Sequence, residues 1–196
     1  MKTISTVYFS GTGHTAQMAE AVVRGASSIA GVSAIALPIE GRDIVEGRFV
    51  NAELLEKLTG SDAIIFGSPT YMGNVAAQFK AFADATGGIW YQRQWSNKLA
   101  SGFTHSGSPS GDKLSALQYL SLFAAQHGML WIGNLDTTAP VEGGLTVNRI
   151  GSYLGAMGAG RDDKVDAGDL LTAERLGRRV ASQLVRESQL ASTLAA

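Results

Sequence analysis

The fold is decided by a stretch near the N-terminus, residues 3–15, which reads TISTVYFSGTGHT. β-Branched and aromatic residues fill its first half, from Thr3 to Phe9, and this composition predicts a buried strand. A glycine-rich turn follows, and apolar residues then recur with helical spacing from about His14 to Ile29. A strand that enters a helix through such a turn is the opening unit of an α/β protein.

The same alternation of strand and helix continues along the chain. Further strands are predicted at Val32 to Leu37, Ala63 to Gly67 and Leu99 to Thr104, and a fifth begins at Met129 to Ile132 and resumes at Tyr153 to Met157. Helices are predicted at Ala52 to Leu58, Asn74 to Ala85, Asp112 to His127 and Asp166 to Arg186, followed by a frayed tail from Ser188 to Ala196. This order predicts a single domain, residues 1–196, built on a doubly wound parallel sheet with helices on both faces.

The composition narrows the function. The 196 residues include 16 Lys plus Arg and 17 Asp plus Glu, so the net charge is −1, which does not favour nucleic-acid binding. The chain has no cysteine, which excludes disulfides and thiolate chemistry and is compatible with a cytoplasmic protein. We also expect no membrane span, because no apolar run reaches about 18 residues. The three scattered histidines lack metal-ligand spacing.

The turn after the first strand has the chemistry of a phosphate site. Backbone amides at a helix N-terminus are unpaired and favour an anion, and two glycines allow a close approach. The hydroxyl groups here can donate to phosphate oxygens, and no Lys or Arg is present. The candidate residues are Ser10, Gly11, Thr12, Gly13, His14 and Thr15.

The sequence of this turn has three other interpretations. It lacks the Gly-Lys-Ser/Thr ending of a Walker A loop. It fits the start of a dinucleotide-binding pattern, but Glu40 comes too late to be the acidic partner about 20 residues on. A plain glycine-rich turn without a ligand is the third. The hydroxyl groups favour a phosphate monoester.

Two more turns follow strands that should end at the same edge of the sheet. The second turn carries Pro69, Thr70, Tyr71, Met72 and Gly73, where an aromatic or thioether side chain can cover a flat ring. The third carries His105, Ser106, Gly107, Ser108, Pro109 and Ser110, whose small residues expose many donors. In doubly wound sheets, ligands bind at such an edge, at the switch point of the strand order.

Several segments together resemble the WrbA-type NAD(P)H:quinone oxidoreductases. They are VYFSGTGHTAQMAEAVVRGA, AIIFGSPTYMGNVAAQFKAFAD, GGIW, KLASGFTHSGS and HGM, and they span most of the chain in order. The resemblance implies a flavodoxin-like sandwich with strand order 2-1-3-4-5. It also implies FMN as the cofactor, with its phosphate on Ser10 to Thr15 and its ring on the second and third turns.

The resemblance further assigns roles to residues outside these turns. His127 would approach the flavin, Trp90 would line the substrate side, and Thr12 is a candidate nicotinamide contact. Members of the family are commonly tetramers whose flavin sites neighbouring subunits complete, so a homodimer or homotetramer is expected. Trp90, Tyr91 and Trp95, together with the Gly-rich segment 134–152, are expected to support this association.

The chain departs from the family pattern, and some of its residues have simpler interpretations. The family often has an aromatic residue at Thr12, Arg then Phe at Tyr71 and Met72, and a glycine at Pro109. These differences concern the nicotinamide and quinone contacts more than the FMN site. His14 is expected to be solvated, His105 can be a plain strand-end residue, His127 can simply end a helix, and Trp90 can belong to an interface or the core.

The predicted activity is the transfer of two electrons from NAD(P)H to a quinone by an FMN-dependent enzyme. The flavin would carry the chemistry, so no side chain is assigned as acid or base. A flavodoxin-type electron carrier that docks on redox partners is the alternative, although the near-neutral charge disfavours steering by charged patches. A third possibility is an interaction protein that has lost its cofactor, which the intact first turn argues against.

Overall fold

A parallel sheet with five strand positions forms the centre of the protein. The computed structural model describes residues 1–141 and 143–194. The strands are β1 (Lys2–Phe9), β2 (Val32–Ile39), β3 (Ala63–Tyr71), β4 (Leu99–Ser106) and β5, which consists of two segments, Leu130–Trp131 and Ala156–Ala159. Their order is 2-1-3-4-5 and all neighbours are parallel. The predicted flavodoxin-like α/β fold and its strand order are confirmed.

Helices cover both faces of the sheet. They are α1 (His14–Ser27), α2 (Ala52–Thr59), α3 (Ala77–Ala85), α4 (Gly87–Tyr91), α5 (Lys113–Gln126) and α6 (Ala167–Leu194). Helices α1 and α6 pack on one face, and α2, α3 and α5 pack on the other. None of the helices in the described part of the chain combines the length and apolarity that crossing a bilayer requires.

Several short elements lie outside the central sheet and its covering helices. A 3₁₀ turn, Gly41–Asp43, precedes an antiparallel pair formed by Ile44–Val45 and Arg48–Phe49. A second pair, Ala139–Pro140 with Thr146–Val147, lies inside the segment that interrupts β5. The predicted interruption of the fifth strand is confirmed, because both of its segments pair with β4.

The core beneath α3 and α5 is rich in aromatic rings. Phe66 of β3 contacts Phe79, Phe123 and Trp95 at centroid distances of 5.3 to 6.3 Å. Trp95 is fully buried and its indole N–H donates to the Thr59 hydroxyl at 3.1 Å. Trp95 is therefore a core residue, and the prediction that it supports an interface was wrong.

Two helix boundaries differ from the sequence-based ones. Asn74 and Val75 are not helical, because Met72 and Gly73 adopt positive φ angles and turn the chain back to pair with the end of β3. The last helix continues to Leu194 rather than ending near Arg186. Its apolar residues Leu176, Val180 and Leu184 are buried in the core shared with α1, and these contacts hold the helix. Residues 195 and 196 of the predicted frayed tail lie outside the described residues.

Candidate functional site

Four loops meet at the carboxyl edge of the sheet. We call Ser10–Thr15 the first loop, Tyr71–Gly73 the second loop, Gly107–Gly111 the third loop and Gly160–Asp166 the fourth loop. A Cβ atom on Gly11 would lie only 2.4 Å from the Tyr71 hydroxyl, so the first loop touches the second. A Cβ atom on Gly107 would lie 3.1 Å from Cγ of Arg161, so the third loop touches the fourth.

The first loop presents an array of unpaired donors. Ser10 Oγ accepts hydrogen bonds from the amides of Gly13 at 3.1 Å and Ala16 at 3.2 Å, which leaves the hydroxyl proton available. Among the described residues, no acceptor is found for the loop's other amides, those of Gly11, Thr12, His14 and Thr15. Gly13 has a φ of 90°, which lets the loop close over the start of α1.

This array fits the phosphate of FMN. The loop contains no carboxylate, and its free amides stand at the positive end of the α1 dipole. A phosphate monoester would be held by these amides and by the hydroxyls of Ser10 and Thr15, whereas the Thr12 hydroxyl pairs with Nδ1 of His14 in this structure. The six predicted residues of the first loop are thus brought together in one turn.

The His14 side chain connects the first loop to the fourth loop. Its Nε2 lies 2.6 Å from the carbonyl oxygen of Asp162, which can only accept, so Nε2 carries a proton. Its Nδ1 then accepts from the Thr12 hydroxyl at 2.9 Å in the neutral ring. Gln17 adds a second tether, since its amide group donates to the carbonyl of Asp163 and accepts from the amide of Val165. The expectation that His14 is simply solvated was wrong.

His105 is the last but one residue of β4, and its ring is buried beneath His14. Its Nε2 is buried and has no hydrogen-bond partner in the described part of the chain. Burial lowers its pKa to about 4, with further lowering from His14, Lys113 and Arg149. The imidazole is therefore neutral at pH 7, and it supports the first loop from the end of the strand.

The second loop is shorter than the turn that the sequence predicts. Pro69 and Thr70 belong to β3 and are buried, and the Thr70 hydroxyl pairs with that of Thr104 at 2.8 Å. Both residues are therefore part of the sheet rather than of the projecting loop. Only Tyr71, Met72 and Gly73 project from the edge, and Met72 is fully exposed at the tip.

An open cavity of about 700 Å³ separates α3 from the first two loops. Its lining includes the aromatic residues Phe9, Tyr71 and Tyr119, together with Lys80. Burial and the neighbouring carboxylate of Asp84 raise the pKa of Tyr119 to about 12, so its hydroxyl remains a donor at neutral pH. The volume suits a flat aromatic ligand next to the phosphate loop.

A buried lysine that the sequence analysis missed shapes the third loop. The Lys113 ammonium group donates to Ser106 Oγ at 2.9 Å and to the carbonyls of Ser108 at 2.6 Å and Pro109 at 2.8 Å. All three ammonium protons are used inside the loop. The available signal was a Lys directly after a Gly-Asp pair at a helix start, where a cation opposes the helix dipole.

The segment that interrupts β5 also reaches this region through Arg149. Its guanidinium group donates to the carbonyl of Ala159 at 2.7 Å and to the Asp169 carboxylate at 2.6 Å. Asp169 also accepts from the amide of Ala159 at 3.0 Å, so the pair ties α6 to the end of β5. Burial raises the pKa of Asp169, and its hydrogen bond with Arg149 opposes that rise.

Trp90 and His127 lie at the other end of the strands, away from the carboxyl edge where the four loops meet. Helix α5 starts beside the third loop and has 14 residues, so it spans about 21 Å before it reaches His127. The His127 ring is buried between Trp95 and Phe123, and its Nε2 pairs with the Thr86 hydroxyl at 2.9 Å. A single chain therefore does not bring His127 to the loop cluster.

A groove connects the two regions along the surface between α3 and α5. A second cavity of about 270 Å³ is lined by Trp90 and His127, and it shares Lys80 and Tyr119 with the cavity at the first two loops. Trp90 is 43% exposed and Tyr91 is 81% exposed. This pair of aromatic side chains is available for contact with another molecule.

The chain matches known flavoproteins over most of its length. A family described as NADPH-dependent FMN reductase matches residues 10–140. "Flavodoxin FldP" of Pseudomonas aeruginosa is 38% identical over 181 residues, covering 89% of this chain and 92% of the relative. An "NAD(P)H dehydrogenase (quinone)" of Archaeoglobus fulgidus is 34% identical over 196 residues, covering 92% and 96%.

A solved structure gives the same result. A crystal structure described as the flavodoxin, WrbA-like protein from Agrobacterium tumefaciens is 39% identical, with a TM-score of 0.73, and the match covers 95% of this chain and 99% of that one. The resemblance to the WrbA-type family that the sequence segments indicate is therefore confirmed. The chain belongs to the NADPH-dependent FMN reductase family, as a flavodoxin-like protein of the WrbA type.

Proposed function

We propose that this protein is an FMN-dependent oxidoreductase that transfers two electrons from NAD(P)H to a quinone in the cytoplasm. The observation that carries this proposal is the first loop, whose free amides and hydroxyls adjoin an aromatic-lined cavity. Relatives named NAD(P)H dehydrogenase (quinone) support the activity. FMN, when bound, supplies the redox chemistry, and the protein supplies binding and orientation.

The first loop would hold the phosphate with neutral donors alone. Ser10 is suited to this role because two backbone amides occupy its oxygen, so the hydroxyl proton is left for the ligand. Thr12 is exposed and can reach either the phosphate or an incoming nicotinamide. An anion bound in this way would be stabilised by the positive end of the α1 dipole.

The second and third loops would hold the ring. Tyr71 and Met72 project from the edge of the sheet and can cover one face of the isoalloxazine. The amides of Gly107, Ser108 and Ser110 have no acceptor in the described residues and can donate to the ring's polar edge. Because donors that are already in place need no reorganisation, they favour the reduced, more negative ring.

A second copy of the chain would complete the site. Trp90 and His127 are too far along the groove to reach the loop cluster of their own chain. Trp90 is exposed to a neighbour, and the buried His127 lines the same cavity. We propose a homodimer or homotetramer in which these residues of one copy approach the flavin of another. His127 would do so as a neutral ring, since burial lowers its pKa to about 4.

The test is the absorption spectrum of FMN-loaded protein after addition of NADH or NADPH, with and without benzoquinone. We expect bleaching by the nucleotide and recovery on addition of the quinone. Since both substrates would share one face of the ring, steady-state rates should give parallel double-reciprocal lines. The proposal fails if neither nucleotide reduces flavin that dithionite reduces fully.

An electron carrier is the second candidate, and the relative named Flavodoxin FldP favours it. A carrier would accept electrons from a separate reductase and would show negligible oxidation of NAD(P)H by itself. The same spectra therefore decide between the two candidates. Recovery by dissolved oxygen that is as fast as recovery by quinone would overturn only the choice of acceptor.

A further inference from the structure

Lys113 lies beneath the third loop with no solvent-exposed surface. Its ammonium group is surrounded by three oxygen atoms of Ser106, Ser108 and Pro109, each within hydrogen-bonding distance. No carboxylate lies within ion-pair distance of this ammonium group in the described residues. The charge is therefore satisfied by loop dipoles and is not cancelled by an acid.

Burying the Lys113 ammonium group at the start of a helix costs free energy, so its position needs a physical reason. Burying a cation loses hydration, and the first residue of a helix is where the dipole repels positive charge. Burial lowers the pKa of Lys113 to about 8. The group nevertheless remains mainly protonated at pH 7, because its pKa still lies above that pH.

The lysine fixes the direction of the loop's peptide groups. In a trans peptide, the C=O and N–H bonds point in opposite directions. Since the Pro109 carbonyl points inward to the ammonium group, the N–H of Ser110 points outward from the same peptide. The amides of Gly107 and Ser108 also have no acceptor in the described residues, so the loop holds three donors that are free for a ligand.

Other ionisable groups face Lys113 from three neighbouring elements. His105 comes from β4, Arg149 from the segment that interrupts β5, and Asp169 from α6. Asp112 precedes it at the start of its own helix and is exposed. Asp169 raises the pKa of Lys113 but is itself held by Arg149 at 2.6 Å, and Asp166 pairs with the same guanidinium group at 3.3 Å. Both carboxylates are thus engaged by Arg149, and the positive charge of Lys113 itself is left behind the third loop.

We propose that Lys113 is a positioning residue of the FMN site, which holds the third loop with its amides outward and places a positive charge behind it, so that reduced FMN is bound more tightly. This inference rests on the proposed function only for the location of the ring. A reduced isoalloxazine carries more negative charge than an oxidised one. Donors and a nearby cation in a site of low dielectric therefore stabilise it selectively.

The experiment measures the midpoint potential of bound FMN by dithionite titration with a reference dye, and the dissociation constants of oxidised and reduced FMN. The variants are Lys113→Met, which removes the charge, and Lys113→Arg, which keeps it. Lys98→Met is the matched control, because Lys98 is a partly buried lysine that likewise donates to backbone carbonyls, those of Thr59 and Ser61, at the opposite end of the strands.

We expect Lys113→Met to weaken reduced FMN about tenfold relative to oxidised FMN, which lowers the two-electron potential by about 30 mV. Lys113→Arg should retain most of the wild-type potential. Lys98→Met should reduce stability without moving the potential. An unchanged potential in Lys113→Met, or an equal shift in Lys98→Met, would overturn the proposal.

A second measurement applies if Lys113→Met does not fold. The wild-type potential plotted against pH should change slope near pH 8, where the lysine loses its proton, and this change should be absent in Lys113→Arg. The same slope change in both proteins would contradict the inference. Dithionite titration needs neither nucleotide nor quinone, so these results stand apart from the proposed activity. Both the inference on Lys113 and the proposed function would fail together only if the wild-type protein did not bind FMN.

Discussion

The imidazole ring of His14 lies flat against that of His105, with ring centroids 4.5 Å apart and planes 7° apart. This contact joins the first loop to the end of β4. The same His14 ring donates to the carbonyl of Asp162, so one side chain connects three of the elements that surround the phosphate site. The candidate site is thus held by tertiary contacts rather than by its own turns alone.

Replacing His14 by Ala should loosen the fourth loop. The variant loses the stacked pair, worth about 1 kcal/mol, and a hydrogen bond worth about 1 kcal/mol. We expect faster amide hydrogen exchange in 160–165 and weaker FMN binding. Arg24→Ala is the control on the same helix, because Arg24 makes only a long 3.7 Å ion pair with Glu174. Unchanged exchange in His14→Ala would show that the contact does not hold the loop.

Gly11 and Tyr71 should show strong coupling. Gly11→Ala places a Cβ atom 2.4 Å from the Tyr71 hydroxyl oxygen, whereas the next nearest ring atom lies at 3.4 Å. We expect the single variant to lose about 1–3 kcal/mol of stability, since overpacking forces neighbours to move. Tyr71→Phe removes the clashing oxygen and should restore most of that loss in the double variant. Additive unfolding free energies, measured in urea, would contradict this arrangement.

Strand and helix periodicity was enough to predict the sheet. The β-branched run of β1 and the wholly apolar run of β3 leave few alternatives, and even the broken fifth strand was recognised from two short apolar segments. The start of α3 at Ala77, rather than at the predicted Asn74, could not be read from the sequence, because the turn at Met72 and Gly73 depends on pairing with the end of β3.

The site was predictable only where a loop acts by itself. The first loop carries its chemistry in its own sequence, so its candidate residues can be named without the fold. Arg149 was missed because its role depends on a distant partner, Asp169, which lies 20 residues further along the chain. Lys113 was missed because the sequence does not show that the carbonyls of Ser108 and Pro109 turn inward to meet it. Trp95 was misassigned because an indole in a loop sequence gives no sign of whether the core or a partner buries it.

Acid should destabilise the protein partly through His127. Burial, reinforced by Arg93, lowers its pKa to about 4, against about 6.5 in an unfolded chain. The unfolded state therefore binds the proton first, so the contribution of His127 is complete above pH 6.5 and is lost as the pH falls toward 4. We expect the unfolding free energy of His127→Gln to fall less steeply over this range. Equal pH slopes in urea titrations would contradict the assignment.

Trp90 and Tyr91 should hold the proposed oligomer together. Exposed aromatic side chains of this kind are enriched at the centres of protein interfaces. The double variant Trp90→Ser, Tyr91→Ser is expected to have a lower mass by light scattering at micromolar concentration. Val45→Ser, at a residue 51% exposed on another surface, is the control. A wild-type protein that is already monomeric with FMN bound would refute the assembly.

The first loop should distinguish FMN from riboflavin by its phosphate. Thr12→Asp places a negative charge among the free amides, so FMN should bind at least tenfold more weakly, because like charges repel at short range. Riboflavin lacks the phosphate and should bind this variant about as well as it binds the wild type. Thr12→Asn is the control, because it is similar in size to Asp but neutral, and it should retain FMN. The measurement is fluorescence quenching of each flavin on titration with protein. If wild-type protein binds riboflavin and FMN equally, the phosphate-loop assignment is wrong, since the loop would then contribute nothing to the affinity for the monoester.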